Sequence, residues 1–483
     1  MTKSFSKFFL FLVLVMLLQG CLNKSNEKQP NILFVFIDDM GYGDLGCYGN
    51  KEVSTPHIDQ LAAEGIRFSQ FYVNSPICSP SRTAVLTGNY PSKWGITSFV
   101  HSRAANAKRG MKDFLALDAP SVARNFQNAG YYTAHIGKWH MGGGRDIGEA
   151  PLIKEYGFDE SITQFEGLGE RYLATFETLP NLKDSTRFLE KMSADLGKGP
   201  IHWAKRELFT EIFVDHTISA IKKAQELNQP FYINLWPDDI HTPLEPPEEL
   251  RGDLSTKARF LGVVQEMDQQ MGRLFEFIRN QPSLRENTLI IFTSDNGPDK
   301  NVNKAGHLRG YKTNLYEGGI REPFIAWWSG RIAAEKIGSI DTEGIMAGFD
   351  LPVTFMAAAG ISYDSSLYDG KDMLNTILGK QTNNTERPLF WIRPPDRPGY
   401  DGENDPDLAI RNNNYKLLMD VDGSNKQLYN LINDESESKN LAIDSSSAGI
   451  VDKLSKELLT WYQNYPHSID MQLYENDLVS KQK

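Results

Sequence analysis

The residues able to do chemistry fall in six short blocks. Residues 75–90 read SPICSPSRTAVLTGNY, so Cys78, Pro80 and Arg82 form a C-x-P-x-R run ahead of a helix-like stretch closed by Gly88. Asp38-Asp39 and Asp295-Asn296 each follow a short apolar run. Adjacent carboxylates at the end of a buried strand repel each other and are costly to desolvate without a cation. Three carboxylates and an amide are hard oxygen donors suited to Ca2+ or Mg2+, and Ca2+ tolerates irregular geometry better. Lys138 and His140 in GKWHMG, His241 in IHTP and Lys312 in LRGYK add cations and titratable rings. Such a set joins hard donors for a cation to positive side chains, and suits an oxygen nucleophile better than a thiol. Cys78 is the discordant member, because soft sulfur prefers zinc or copper to a hard cation.

The elements that must position these blocks follow from hydrophobic pattern. Residues 31–37, NILFVFI, are an unbroken apolar run, the pattern of a strand buried on both faces of a parallel sheet. Residues 55–68 predict a helix, with Thr55 as cap, Pro56 in the first turn, and Ile58, Leu61, Ala62 and Ile66 on one face. A second helix is expected over 121–129, and strands over 131–136, 231–236 and 288–293. Val264, Met267, Met271, Leu274 and Ile278 recur at spacings of three and four, predicting an amphipathic helix over 258–280 whose Met stripe is core. This alternation predicts an α/β fold with a large, mostly parallel sheet flanked by helices. The polar blocks sit just past the C-terminal ends of four expected strands, where open α/β sheets place their ligands. They point to one shared site.

Composition shifts after Gly379. A polar stretch at 381–387 and a Pro-, Gly- and Asp-rich one at 394–406 precede short strand-like runs at 408–411, 415–419 and 427–431, then a helix over 450–462. The expected organisation is a catalytic α/β domain over 31–380 and a smaller α+β subdomain with an antiparallel sheet over 381–483.

The first residues read as a targeting segment. Lys3 and Lys7 precede an apolar run over 8–18, too short to span a membrane and proportioned like a signal-peptide core. Leu17-Leu18-Gln19-Gly20-Cys21 looks like a bacterial lipobox, so residues 1–20 are expected to be a lipoprotein signal peptide, Cys21 a lipidation site and 21–30 a tether. The expected place is the cell envelope of a Gram-negative bacterium. No acidic run follows Cys21, which points to the periplasmic face. With Cys21 acylated, only Cys47 and Cys78 of the three cysteines remain, and no disulfide is expected. The net charge of −11 excludes a domain-wide basic surface for nucleic acid. An anionic substrate would have to be drawn into a local cationic pocket.

Cys78-Ser79-Pro80-Ser81-Arg82 resembles the signature read by formylglycine-generating enzymes in type I sulfatases, of the alkaline-phosphatase-like superfamily. The resemblance continues through residues 31–46, GKWHMG with Met for the family's Leu, Ser294-Asp295-Asn296-Gly297, and residues 308–323. It implies that Cys78 is oxidised to formylglycine by a maturase. The hydrated aldehyde removes the clash between thiol and hard metal. It further implies a metal, Ca2+ rather than Mg2+, on Asp38, Asp39, Asp295, Asn296 and modified residue 78. Arg82 would steady the hydrate and the carboxylates, and Lys138 and Lys312 would neutralise sulfate. His241 or Lys312 would protonate the leaving oxygen, and His140 would take the proton from the second hydroxyl of the hydrate. A lipid-anchored sulfatase suggests a sulfated oligosaccharide from algal or host polysaccharide as substrate. His101, Arg103, Trp391, Arg393 and Arg397 are candidate sugar contacts. The competing readings are a phosphate or phosphonate monoester hydrolase on the same scaffold, and a lipoprotein that binds sulfated glycans without turnover.

Overall fold

The computed structural model describes residues 29–179, 185–381, 387–394 and 405–464. Among the described residues fifteen strands form two sheets. The first eleven are β1 (Asn31–Ile37), β2 (Ile66–Tyr72), β3 (Tyr132–Gly137), β4 (Glu160–Thr163), β5 (Glu170–Thr175), β6 (Ile201–Lys205), β7 (Phe231–Trp236), β8 (Thr288–Ser294), β9 (Arg321–Trp327), β10 (Ile340–Asp341) and β11 (Met346–Ala347). They build one large sheet in the order β10-β2-β9-β8-β1-β7-β3-β4-β5-β6, with β11 pairing β2. All pairings are parallel except those of β9, which runs antiparallel to β2 and β8. β1 lies in the middle, pairing Phe34 with Asn234 of β7 and Ile291 of β8. Every residue of β1, β7 and β8 is buried, which explains their continuous apolar sequence.

Helices cover both faces. Leu33 and Val35 point into a layer containing α1 (Pro56–Glu64), α4 (Phe209–Glu226) and α5 (Thr256–Arg279), where Met267 and Met271 are fully buried core. Ile32 and Phe34 face the opposite layer, with α2 (Cys78–Thr87) and α3 (Val122–Asn128). The small sheet, β12 (Leu389–Ile392), β13 (Leu408–Asn412), β14 (Tyr415–Met419) and β15 (Gln427–Asn430), is antiparallel throughout. It is backed by α6 (Ala448–Asn464) and shares that second core. Lys416 of β14, wholly buried, joins the sheets through Glu317, 2.9 Å away, and Glu437, 3.0 Å away.

One expectation needs correction. The helix predicted over 55–68 stops at Glu64, and Ile66 belongs to β2. Gly65 breaks the helix, and IRFSQFY then buries Ile66, Phe68 and Phe71 in the sheet. Thr55 does not cap with its side chain; its hydroxyl accepts from Gly46 N and donates to Asp59. Residues 1–28, including the lipobox and Cys21, lie outside the described residues. Cys47 and Cys78 are both free thiols.

Candidate active site

Five chain segments converge past the C-terminal ends of β1, β2, β3, β7 and β8. Asp38-Asp39 follow β1, Asp295-Asn296 follow β8, and the loop after β7 carries Asp238 to His241. Lys138 to His140 leave β3 through Gly137, whose φ is +109° and where a Cβ would sit 2.2 Å from Trp236 O. Asp39 and His140 are non-glycine residues with φ of 60° and 54°. Such backbone is uncommon and concentrates at functional sites. Cys78 opens α2, so its side chain and that of Arg82 one turn later share a face.

Arg82 is wholly buried. Its Nη2 lies 2.7 Å from Asp295 and 3.4 Å from Asp38, and the guanidinium is held over Phe36 and Trp236. Lys138 Nζ reaches Asp38 at 2.6 Å and Lys312 Nζ reaches Asp39 at 2.6 Å. Burial opposes the charge on Asp38, yet Lys138, His241 and Arg82 together hold its carboxyl well below the usual range. Burial, then the Asp38 carboxylate, push Asp295 up to about 8.

The donor set fits a hard divalent cation. Oxygens of Asp38, Asp39 and Asp295 lie within 4.8 Å of one another. Asp38 Oδ1 and Asn296 Oδ1 are buried without a hydrogen-bond partner, while Asn296 Nδ2 donates to Asp39 at 2.8 Å. Oxygens left without donors beside a carboxyl that burial drives towards protonation are what a Ca2+ or Mg2+ ion would satisfy.

The histidines have assigned orientations. His140 Nε2 is 3.1 Å from Val100 O, a carbonyl that can only accept, so Nε2 carries the proton. Nδ1 is then the lone-pair nitrogen of the neutral ring, and it faces Cys78 Sγ at 3.2 Å. Glu166 Oε2 stands 3.1 Å from the same Nδ1. Burial pushes the His140 ring well below its ordinary range, so it stays neutral at pH 7. His241 Nδ1 donates to Thr242 O at 2.6 Å, turning Nε2 towards Asp39 Oδ2 at 3.9 Å. Burial also pushes the Cys78 thiol up, to about 11, so the unmodified side chain is a poor nucleophile at neutral pH.

The family model described as Sulfatase matches residues 30–361. The N-acetylgalactosamine-6-sulfatase of dog is 32% identical over 394 residues, covering 79% of this chain and 72% of the relative. The chain belongs to the sulfatase family. It is therefore a sulfuric ester hydrolase. A second model, N-sulphoglucosamine sulphohydrolase C-terminal, matches residues 309–464. The N-acetylgalactosamine-6-O-sulfatase of Bacteroides thetaiotaomicron is 28% identical over 522 residues, covering 91% of this chain and 96% of that protein. Among solved structures, Ps i-CgsB in complex with k-i-k-neocarrahexaose superposes with a TM-score of 0.73 at 28% identity, covering 92% of this chain and 93% of that one.

In this sulfatase the structure gathers Asp38, Asp39, Cys78, Arg82, Lys138, His140, His241, Asp295, Asn296 and Lys312 around one centre. The proposed sugar contacts do not join them. Trp391 is core, 1% exposed, with its indole N–H donated to Val73 O at 2.7 Å; it is no rim platform. Arg393 is buried and paired with Asp407 at 2.7 Å. Arg103 is exposed and tied to Asp113 and Glu149. His101 lines a small recess behind His140 rather than the main cavity. Arg397 lies outside the described residues. The sequence reading missed Glu166, Arg145, Arg206 and Asp238, which line the cavity of about 240 Å³ over Cys78. Glu166 follows β4 as the other site residues follow their strands, so reading ESIT as a strand would have found it.

Proposed function

We infer that this sulfatase removes sulfate from a sulfated saccharide, with residue 78 as formylglycine and Ca2+ on Asp38, Asp39, Asp295 and Asn296. The observation that carries the reading is His140 Nδ1, 3.2 Å from residue 78, beside a carboxylate cluster with unpartnered oxygens. The saccharide is supported by relatives whose names specify N-acetylgalactosamine sulfates and by a neighbour described with a bound neocarrahexaose. A cavity of about 240 Å³ is smaller than the roughly 300–1,000 Å³ that hold drug-sized ligands, and suits one sugar ring at a chain end.

The hydrated aldehyde and the ion together supply a hydroxyl nucleophile of lowered pKa and a Lewis acid for the ester. The chain's own residues do the rest. Lys138 and Lys312, whose charges Asp38 and Asp39 secure against burial, bind the sulfate oxygens and meet the charge that grows on them. Arg82 keeps Asp38 and Asp295 in place. His241 Nε2 gives a proton to the departing sugar oxygen, with Lys312 as the other candidate donor. Burial and the two lysines hold His241 below its ordinary range, so the acid form depends on the negative charge of the bound sulfate. His140 Nδ1 takes a proton from residue 78, and Glu166 lies where that proton would be shared.

The lipid anchor on Cys21, at the periplasmic face of a Gram-negative envelope, belongs to the same proposal and is supported by the lipobox sequence. Cys21→Ala should release the protein from membranes. For the chemistry, the chain is made alongside a formylglycine-generating maturase and the peptide across residue 78 is weighed. Sulfate release from N-acetylgalactosamine 6-sulfate is then followed before and after chelation. The aldehyde mass, turnover proportional to its abundance, and loss on chelation restored by Ca2+ are expected. Full turnover from a residue that remains cysteine would overturn the mechanism.

A further inference from the structure

The wall of the cavity on the side of His241 carries a pair of charged residues that the sulfate chemistry does not use. Arg206 Nη1 lies 3.1 Å from Asp238 Oδ1, and its Nη2 donates to Asp238 O at 2.7 Å. That same carbonyl accepts from His241 N at 3.2 Å, so the pair is built into the turn that presents His241. Arg206 is 5% exposed, with its guanidinium over the Phe209 ring. Both side chains line the cavity. They are fixed before any ligand arrives, the condition under which polar groups give specificity.

Charge decides what such a pair can read. Asp238 neutralises Arg206, Asp239 Oδ1 stands as a further partner at 3.7 Å, and the group offers no net positive charge to an anion. The other arginines at the cavity are also committed: Arg145 to Glu166 at 2.9 Å, and Arg187 to Glu190. Lys138 and Lys312 are paired as well, but with Asp38 and Asp39, the carboxylates that the proposed ion would share. Among the described lining residues they are thus the cations that ion would free for substrate, and both stand at the sulfate position. A second anionic group on the same sugar would therefore meet arginines already neutralised. A hydroxyl is suited to the pair, since it accepts from a guanidinium and donates to a carboxylate at once. Asp238 Oδ2 takes no hydrogen bond from a described residue and is the oxygen such a donor would meet.

We propose that Arg206 and Asp238 read one hydroxyl of the sulfated ring, and that the site takes a terminal neutral pyranose whose only charge is its sulfate, not a sulfated uronate. The proposal rests on the saccharide reading above and narrows it. Because His241 faces the leaving oxygen, the hydroxyl read is one close to the sulfated carbon.

The test compares the parent, Asp238→Asn and Asp238→Ala, all with residue 78 converted, on four kinds of sulfate ester. These are N-acetylgalactosamine 6-sulfate, its 3-deoxy and 4-deoxy analogues, a uronate 2-sulfate, and 4-nitrophenyl sulfate. The parent should lose on the order of 10²-fold in kcat/KM on one deoxy analogue and at least as much on the uronate. Asp238→Ala should abolish the discrimination between the sugar and that analogue. Its loss should be at least tenfold greater on the sugar sulfate than on 4-nitrophenyl sulfate, with Asp238→Asn between it and the parent. Discrimination that survives in both variants overturns the assignment, as does equal loss on sugar and nitrophenyl esters, which would make Asp238 only a prop for the His241 turn. A uronate turned over as fast as the neutral sugar overturns the class. A parent active on 4-nitrophenyl sulfate but on none of the sugars refutes the saccharide reading, and one inactive on every ester refutes the mechanism beneath it.

Discussion

Replacing Lys416 by methionine should loosen the join between the two sheets by an amount that depends on pH. Lys416, Glu317 and Glu437 all have fully buried side chains, with the ammonium 2.9 and 3.0 Å from the two carboxylates. Glu317 keeps other partners, accepting from Tyr72 OH at 2.6 Å and pairing with Arg321. Glu437 has Lys416 and the Glu317 N–H, at 2.6 Å. Burial pushes the Glu437 carboxyl up to about 7, and Lys416 is the cation that restrains it there. Methionine preserves the length and the apolar stem while removing the charge. Removing one partner of a buried pair costs about 3–5 kcal/mol. Without Lys416 the folded Glu437 carboxyl rises further above its unfolded value, so the folded variant holds a proton that the unfolded chain releases. Its stability is therefore lost as pH climbs above about 4.3, and the deficit relative to the parent is full only once the parent's own Glu437 is ionised. Scanning calorimetry at pH 8.5 should show a Tm depression of about 3–5 °C, and less than half of that at pH 5.5. Equal depressions at the two pH values, or one under about 1 °C at pH 8.5, would refute the account of this junction.

Glu322 is buried with both carboxylate oxygens unpartnered, and burial together with Asp295 and Asp44 raises its pKa well above the usual value. The folded state keeps its proton, so Glu322→Gln should add about 1–3 kcal/mol of stability at pH 8.5 and little near pH 5; thermal unfolding that shows a loss at both pH values would contradict this. His241→Asn should slow hydrolysis of a sugar sulfate by about 10²–10⁴-fold and that of 4-nitrophenyl sulfate far less, because nitrophenolate leaves without a proton. An equal loss on both would move the acid role to Lys312.

The sequence disclosed the site more fully than the sheet that holds it. β1, β7 and β8 were legible because both faces are buried and their runs are unbroken. β9 was not read as a strand, since REPFIAW begins with Arg, Glu and Pro; Arg321 is buried there with partners distant in the chain, Ser69 O and Glu435. β2 was lost because a helical spacing continues past Gly65 as far as Ile66. The catalytic blocks carry several diagnostic residues each, whereas Glu166 and Arg206 are single charged residues whose roles come from partners distant in the chain. Arg82 and Asp295, 213 residues apart, show how far such pairing reaches. The sugar contacts failed for the complementary reason. Nothing in Trp391 or Arg393 as residue types distinguishes a cavity wall from a core position.

Asp39 and His140 share a backbone feature with a consequence for descent. In an extended strand successive side chains alternate sides, yet Asp38 and Asp39 both reach the same cluster because the chain reverses its pleat at a left-handed residue. Only glycine, asparagine and aspartate occupy that conformation at small strain. Evolutionary drift at position 39 is thereby confined to a short list: glycine forfeits the ligand, asparagine keeps an oxygen but removes the negative charge, and Val, Ile or Thr meet a steric barrier before chemistry is consulted. The peptide torsion, as much as the proposed ion, guards the acid there.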